Sequence, residues 1–359
     1  MYDPVSSYIL KIRALIDDAL KSLGLTDKAE YSVEYSAISA YGEFSSNVSF
    51  VYSRFADLSP YELSIQIEEK LSGNTLFDSV SVSQQGFLNF LVISDWYAQA
   101  LSEAFNAGNE FGNDGTKKGD ATIITIDGLQ TSREDPFLFR NEAVVLALHH
   151  ILEADGYFVI RQKADSAFLD YEGRTIICAP SNYWDSGKVP TELSAFSEHV
   201  VTSECSFHSS ETVWDESLII LLNEAKPQTH ICLKEHTQAK VKYGYAWVCS
   251  LLRSFDHNYR LSNGCNMILP TKPQERLLAK QLLMFPSVIS KASNDLDPSA
   301  VLRYLSDVIY YFRLLREEYG RSAGLTAAKS EQLFWYTSLV KQVLHNGLLL
   351  FSAEASEYL

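Results

Sequence analysis

The 359-residue sequence is short of positive charge, of cysteine and of long apolar runs. Thirty Lys and Arg stand against forty-five Asp and Glu, a net charge of −15. So acidic a chain stays dispersed in water and does not cling indiscriminately to phosphate backbones. No apolar run approaches the length of a membrane span, and Met1-Tyr2-Asp3-Pro4 lacks the basic-then-apolar order of a signal peptide. A cytoplasmic location away from membranes is the expectation. The five cysteines (Cys178, Cys205, Cys232, Cys249 and Cys265) form no Cys-x-x-Cys pair, and their odd number fits free thiols. No Gly-x-Gly-x-x-Gly or P-loop follows a strand, and no Gly-x-Ser-x-Gly elbow occurs, which removes the common nucleotide cradles and a serine nucleophile. His199, Cys205 and His208 lie close together, but at no usual zinc-ligand spacing and in Ser-rich surroundings that suggest a loop. His149 and His150 are neighbours on a helix and point about 100° apart, so they make a poor ligand pair. No metal and no cofactor is expected.

What is present is a globular composition, 46% hydrophobic and 12% aromatic, over a length that suits two or three domains. Residues 1–115 read as a first, α+β domain. Asp3 is a plausible N-cap with Pro4 at the first helical position, and Val5, Ile9, Ile12, Leu15, Ile16 and Leu23 recur at helical spacing until Gly24. Tyr41-Gly42-Glu43-Phe44-Ser45-Ser46-Asn47 follows, and Ser59-Pro60-Tyr61-Glu62 opens a second helix through Leu71. Val80–Ser83 alternates as a strand, and Gln84, Gln85 and Gly86 lead into Phe87-Leu88-Asn89-Phe90-Leu91-Val92. Alternation puts Phe87, Asn89 and Leu91 on one face, which favours an exposed Asn89 beside Phe87. Glycine- and charge-rich residues 106–119 read as a linker.

Residues 120–228 read as a small parallel-sheet domain. Thr122–Ile126 is a buried strand, Asn141–Asp155 a helix closed by Gly156, and Tyr157–Arg161 the next strand. Thr175–Ala179 and Ser217–Leu222 supply further buried strands, and strands alternating with helices argue for a parallel sheet. Residues 229–359 read as helical, with Asp297-Pro298 opening an amphipathic helix that bears Val301, Leu305, Val308, Ile309 and Phe312. The fold class is therefore α/β plus all-α. Between Lys226 and Lys280 nine Lys or Arg face three Asp or Glu, a basic segment in an acidic chain.

The ordered words of the first domain, the strand–loop–helix at 121–161 and the helix Tyr243-Gly244-Tyr245-Ala246-Trp247-Val248 together resemble arginyl-tRNA synthetases. The resemblance implies an N-terminal additional domain that touches the tRNA elbow, a Rossmann-like nucleotide-binding domain, and a C-terminal DALR anticodon-binding bundle. The ending Glu354-Ala355-Ser356-Glu357-Tyr358-Leu359 falls where family chains end on Glu-Ala-Pro-Glu-Arg-Met. Carried over residue by residue, the elbow contacts are Phe87 and Asn89, with Gln84 and Gln85 nearby. At the anticodon loop they are Tyr243, Trp247, Tyr358 and Leu359, with Lys240, Lys242 and Arg253 on phosphates. An unstacked base can lie on a ring while an amide reads its edge. Trp247 stands where the family has Arg, a stacking group in place of a charged one.

The loop between the strand and helix departs from the family. Counting back from Arg140, its Ser-Pro-Asn turn, Lys and His-x-Gly-His signature are matched by Asp127-Gly128-Leu129, Ser132 and Asp135-Pro136-Phe137-Leu138. An aspartate about 4 Å from a phosphate charge would oppose it by roughly 4 kcal/mol at an effective dielectric near 20, and Leu138 offers no donor. The second signature is missing as well, because only twenty residues separate Leu222 from Tyr243. On this reading the chain is no enzyme. It is expected to bind tRNA, with arginine tRNA the first choice, as adaptor, chaperone or specificity subunit, in company with a tRNA-modifying enzyme or another protein. A protein-interaction scaffold on the former tRNA faces is the alternative. Residual chemistry on arginine or arginyl-tRNA is a third reading.

Overall fold

The structure, a computed structural model, describes residues 3–26, 29–36, 42–125, 136–163, 173–180, 198–202, 205–207, 229–231, 240–255, 269–321 and 327–352. The first half holds α1 (Pro4–Ser22), β1 (Val33–Tyr35), β2 (Phe44–Ser46), α2 (Val48–Ala56), α3 (Pro60–Leu71), β3 (Phe77–Val82), β4 (Leu88–Val92), α4 (Ser94–Ala107), β5 (Gly119–Thr125), α5 (Pro136–Ala154), β6 (Tyr157–Lys163) and β7 (Arg174–Pro180). After these come β8 (Glu198–Thr202), β9 (Cys205–Phe207), β10 (Thr229–Ile231), α6 (Lys240–Ser254), α7 (Pro273–Leu283), α8 (Phe285–Asp295), α9 (Pro298–Arg321) and α10 (Ala327–Leu349). They group into two compact units, one from 3–103 with 264–283 and one from 104–263 with 284–359. The expected class, α/β plus all-α, is the class observed.

In the first unit the helix starts follow the sequence signals. Asp3 accepts from the backbone N–H groups of Val5 and Ser6, and Ser59 and Glu62 form a reciprocal capping box. The sheet runs β1-β2-β4-β3, antiparallel throughout. Leu88, Phe90 and Val92 of the central β4 are fully buried, as are Ile12 and Ile16 of α1 and Leu63 and Ile67 of α3. Each such side chain contributes about 1.5–3 kcal/mol by leaving water. Tyr8 stacks on Phe44 at 5.4 Å, and Phe77 meets Phe90 at 5.0 Å.

Helix α7 is part of this unit. Glu275, buried, accepts from the backbone N–H groups of Thr271 and Lys272 at 2.9 and 3.0 Å and caps the helix. The next residue, Arg276, donates to Glu43 Oε1 at 2.8 Å, the Val92 carbonyl at 3.1 Å, Asp78 at 3.0 Å and Ser94 Oγ at 3.0 Å. Glu43 is itself buried and accepts from Val92 N at 2.8 Å. Lys280 lies 4.2 Å over the Tyr35 ring and donates to the Ser36 carbonyl. Two cations of the basic segment thus pack into this unit rather than forming a wholly solvated face.

In the second unit the parallel sheet has the order β6-β5-β7-β8. Helix α5 lies on it, burying Val144, Val145, Leu148 and Leu152 against Ala121, Ile123, Val159, Ile176 and Cys178. The expected strands 122–126, 157–161 and 175–179 lie at β5, β6 and β7, although Ile126 is outside the described residues, as is the expected strand 217–222. His199 stands in β8 and Cys205 in β9, not in a loop as their Ser-rich neighbours suggested, and His208 is outside the described residues. Helices α6, α9 and α10 pack together around Val241, Val248, Leu305, Val308, Phe312, Tyr336, Val340 and Leu344, all fully buried. No helix among the described residues is long and apolar enough to cross a membrane.

Two outcomes follow for the first unit. Arg276→Ala leaves Glu43 buried without its cation and should cost about 3 kcal/mol, read from urea unfolding; a loss within measurement error would contradict the buried pair. Burial lowers the Lys280 ammonium from 10.5 to about 8, with Glu43 opposing the shift. Between those values the unfolded chain holds the proton and the folded chain does not, so this group makes stability rise with pH across that window. The stability of the wild type relative to Lys280→Met should therefore increase between pH 8 and 10.

Candidate nucleic-acid interface

The turn between β3 and β4 is built to present side chains outward. Ser83 N donates to the Phe87 carbonyl at 2.9 Å, Gly86 N to the Ser83 carbonyl at 2.9 Å, and Phe87 N to Ser83 Oγ at 2.9 Å. Gly86 has φ +101°, and a Cβ there would run into the Pro60 backbone, so only glycine suits the position. Ser49 of α2 ties the turn down by donating to the Gly86 carbonyl at 2.8 Å. Gln84 and Gln85 are exposed at its tip. Phe87, 36% exposed, lies against Phe50 of α2, itself 39% exposed, with ring centroids 4.6 Å apart. Asn89 is only 6% exposed and sits in the sheet opposite Ser45 and Ser81. Its expected exposure beside Phe87 is corrected: in the central strand of the sheet the side chain is buried.

The helical unit offers a larger surface. Tyr243, 47% exposed, and half-buried Trp247 stand one turn apart on α6. Between them Gly244 lets α9 come so close that a Cβ would collide with Ile309. Trp247 meets Phe312 edge to face at 5.5 Å and lies under the Arg316 guanidinium at 5.4 Å. Tyr243 and Trp247, with Tyr310, Arg313, Arg316 and Glu317 of α9, line a cleft of about 1070 Å³. Tyr310 is 56% exposed, and Arg313 and Arg316 are exposed. Such a cleft can stack planar groups on its rings and neutralise anions with its guanidinium groups.

Of the residues expected to act here, Tyr243 and Trp247 share the cleft. Lys242 and Arg253 lie on α6 outside its lining, and Lys240 opens the same helix. Tyr358 and Leu359 are outside the described residues, as are Asp127, Ser132 and Asp135; Leu138 is in α5. Phe50, Tyr310, Arg313 and Arg316 were not anticipated. The last three recur every three residues along α9, an exposed strip running beside the apolar stripe of Val301, Leu305, Val308 and Phe312, and that periodicity could have flagged them. Nothing local marks Phe50, whose partner is thirty-seven residues away.

An antiparallel α+β unit, a parallel sheet with its α5 crossover and a helical bundle together make the architecture of arginyl-tRNA synthetases. The fold of the Plasmodium falciparum arginyl-tRNA synthetase matches with a TM-score of 0.67 and 10% identity, over 98% of this chain and 99% of that one. The Thermus thermophilus arginyl-tRNA synthetase matches with the same score and 12% identity, over 98% and 100%. Residues 10–92 match the arginyl tRNA synthetase N terminal domain, and residues 241–359 the DALR anticodon binding domain. The arginine–tRNA ligase of Mycoplasmoides gallisepticum is 39% identical over 82 residues, 23% of this chain and 15% of that protein. That of Rhodopseudomonas palustris (strain HaA2) is 27% identical over 205 residues, 52% and 34% of the two. The chain resembles arginyl-tRNA synthetases in its fold and in these two matched regions, and it spans about a third or less of the length of these curated relatives.

These comparisons correct one expectation. The loop substitutions led to the reading that the chain is no enzyme, yet the relatives are named arginine–tRNA ligases and the matching structures are arginyl-tRNA synthetases. That reading rested on positions counted through the loop, of which 127–135 lie outside the described residues, and on a second signature missing between Leu222 and Tyr243, a stretch that lies mostly outside them as well.

The cleft depends on the close approach at residue 244. Gly244→Ala should destabilise the helical unit by about 1–3 kcal/mol, the usual cost of overpacking, and shift the fluorescence of Trp247; thermal unfolding unchanged from wild type would refute the close contact.

Proposed function

We propose that the chain binds tRNA, with arginine tRNA as its cognate, and serves as an adaptor, chaperone or specificity subunit. The observation that carries the reading is the α6–α9 cleft, where three aromatic rings and two exposed arginines face one space. Each unpaired base stacked on such a ring contributes about 1–3 kcal/mol. On this proposal Tyr243, Trp247 and Tyr310 take bases of the anticodon loop, while Arg313 and Arg316 meet its phosphates. Lys240, Lys242 and Arg253 supply further charge along α6, and Tyr358 and Leu359 retain the role that the family pattern gives them. At the other face Phe87, backed by Phe50, takes an unstacked elbow base, and Gln84 and Gln85 read its edge. Asn89, sheltered in β4, then positions the turn. The net charge of −15 opposes non-specific binding and leaves these local groups to select the ligand.

A second reading, ligation of arginine to that tRNA, is favoured by the names of the relatives. The two readings share the same binding faces and part on one measurement. Arginine-dependent ATP–pyrophosphate exchange by the purified chain supports ligation; binding without exchange supports the adaptor role.

Binding itself is tested by gel shift with purified tRNAs. Trp247→Ala and Phe87→Ala should each weaken binding about tenfold or more, the worth of one lost stack. Arg313→Gln should weaken all tRNAs alike and reduce the salt slope by about one. Absence of binding to any tRNA at low salt would end the proposal.

A further inference from the structure

Away from the aromatic faces, α5 gathers a second concentration of chemistry near its C-terminal end. One ligand atom from each of His149, His150 and Glu153 lies within 4.8 Å of the others. His149 Nε2 and Glu153 Oε2 are 3.3 Å apart. That is the edge of a tetrahedron whose metal–ligand bonds measure about 2.0–2.1 Å. The helical divergence that argued against the histidine pair is closed by side-chain reach, for the two rings meet edge to face at 5.4 Å. His150 Nδ1 lies 3.3 Å from the Leu350 carbonyl. An N–H donated there fixes the tautomer and leaves Nε2 with its lone pair, the usual support of a metal-ligating histidine.

The surroundings favour a cation. His150 and Glu153 open on a cavity of about 420 Å³, lined also by Glu110, Asp114 and Asn346 and by no Lys or Arg among the described residues. Asn346 is 6% exposed and donates from its amide to the Gly108 and Phe111 carbonyls, both at 2.9 Å. Its Oδ1 is left buried without a hydrogen-bond partner, an unfavourable state for a polar atom. His149 Nδ1 is likewise buried without one, so the Nε2 side is where that ring meets a polar group.

We propose that His149, His150 and Glu153 bind one divalent transition-metal cation, with water or a cavity carboxylate completing its shell. Two imidazoles and a carboxylate suit Zn²⁺, Co²⁺ or Ni²⁺ and disfavour Mg²⁺, which takes oxygen ligands.

The test uses the full chain, stripped with chelator and dialysed, and titrated with CoCl₂ while the visible ligand-field bands are followed. One equivalent is expected to bind, with ZnCl₂ displacing it and MgCl₂ not. His149→Ala combined with His150→Ala should weaken cobalt binding at least about tenfold, ~1.4 kcal/mol. The exposed Glu153→Gln should weaken it too, which covers the case of a double variant that folds poorly. His199→Ala should leave it intact. Cobalt affinity unchanged in Glu153→Gln and in the folded double variant, or lost in His199→Ala instead, would overturn the proposal. So would no binding by the unaltered chain.

Discussion

Position 244 carries no side chain, and α9 passes α6 there with Ile309 in the space that a Cβ would need. Packed helices ordinarily keep their axes about 8–10 Å apart, and a glycine at the crossing allows the short end of that range. One turn further along α6, Trp247 is wedged against Phe312 and covered by Arg316. The same crossing brings Tyr310 and Arg313 opposite Tyr243. The cleft is thus the consequence of one small residue and two long helices whose apolar faces are satisfied on the other side. A bulkier residue at 244 would separate the two walls.

The first unit reaches the same end by a different route. Its exposed Phe87, set against Phe50 of α2, stands on a five-residue turn that a left-handed glycine, a serine hydroxyl and a tie to α2 hold closed. Behind the sheet, Arg276 of α7 satisfies Glu43, Asp78 and two further acceptors. A buried ion pair of that kind is weak evidence for net stability, since a well-packed apolar pair of the same volume can do as well. What it does supply is register. Only one placement of α7 along the sheet lets a single guanidinium reach the Glu43 carboxylate, the Val92 carbonyl and Asp78 together.

Local order was largely legible in the sequence, and long-range juxtaposition was not. Asp3-Pro4, Ser59-Pro60-x-Glu62 and Asp297-Pro298 announce helices that begin where they should, because capping is a contest among neighbours. The strand–helix–strand order at 119–163 was equally plain from periodicity, although α5 begins at Pro136, five residues before the expected start at Asn141. Asn89 misled because alternation assigns a face without saying whether that face is covered; in the central strand the side chain is buried. The roles of Arg276 and Lys280 could not be read because a charge count cannot distinguish a solvated cation from one folded against Glu43 or Tyr35. The pairing of Phe50 with Phe87, and of α9 with Trp247, depends on tertiary approach and leaves no local mark.

The acidity of the chain and the arginines of the cleft are reconciled by range. At physiological ionic strength the Debye length is about 8 Å, so the net charge governs approach and the lining residues govern what happens inside. A duplex offers phosphates but keeps its base faces stacked, and two guanidinium groups alone would gain little from it against an acidic background. An unpaired nucleotide offers a face as well as a phosphate. On the proposed reading Tyr243, Trp247 and Tyr310 reward the face, and Arg313 and Arg316 reward the phosphate at the same place. On the same reading, selectivity for looped over paired nucleic acid follows from the ratio of rings to cations in the cleft rather than from any base-specific hydrogen bond. The same ratio explains why Trp247 can stand where the family carries arginine without loss of chemical sense. One charge is exchanged for one stacking surface, and Arg316 of the facing helix restores a guanidinium directly above it.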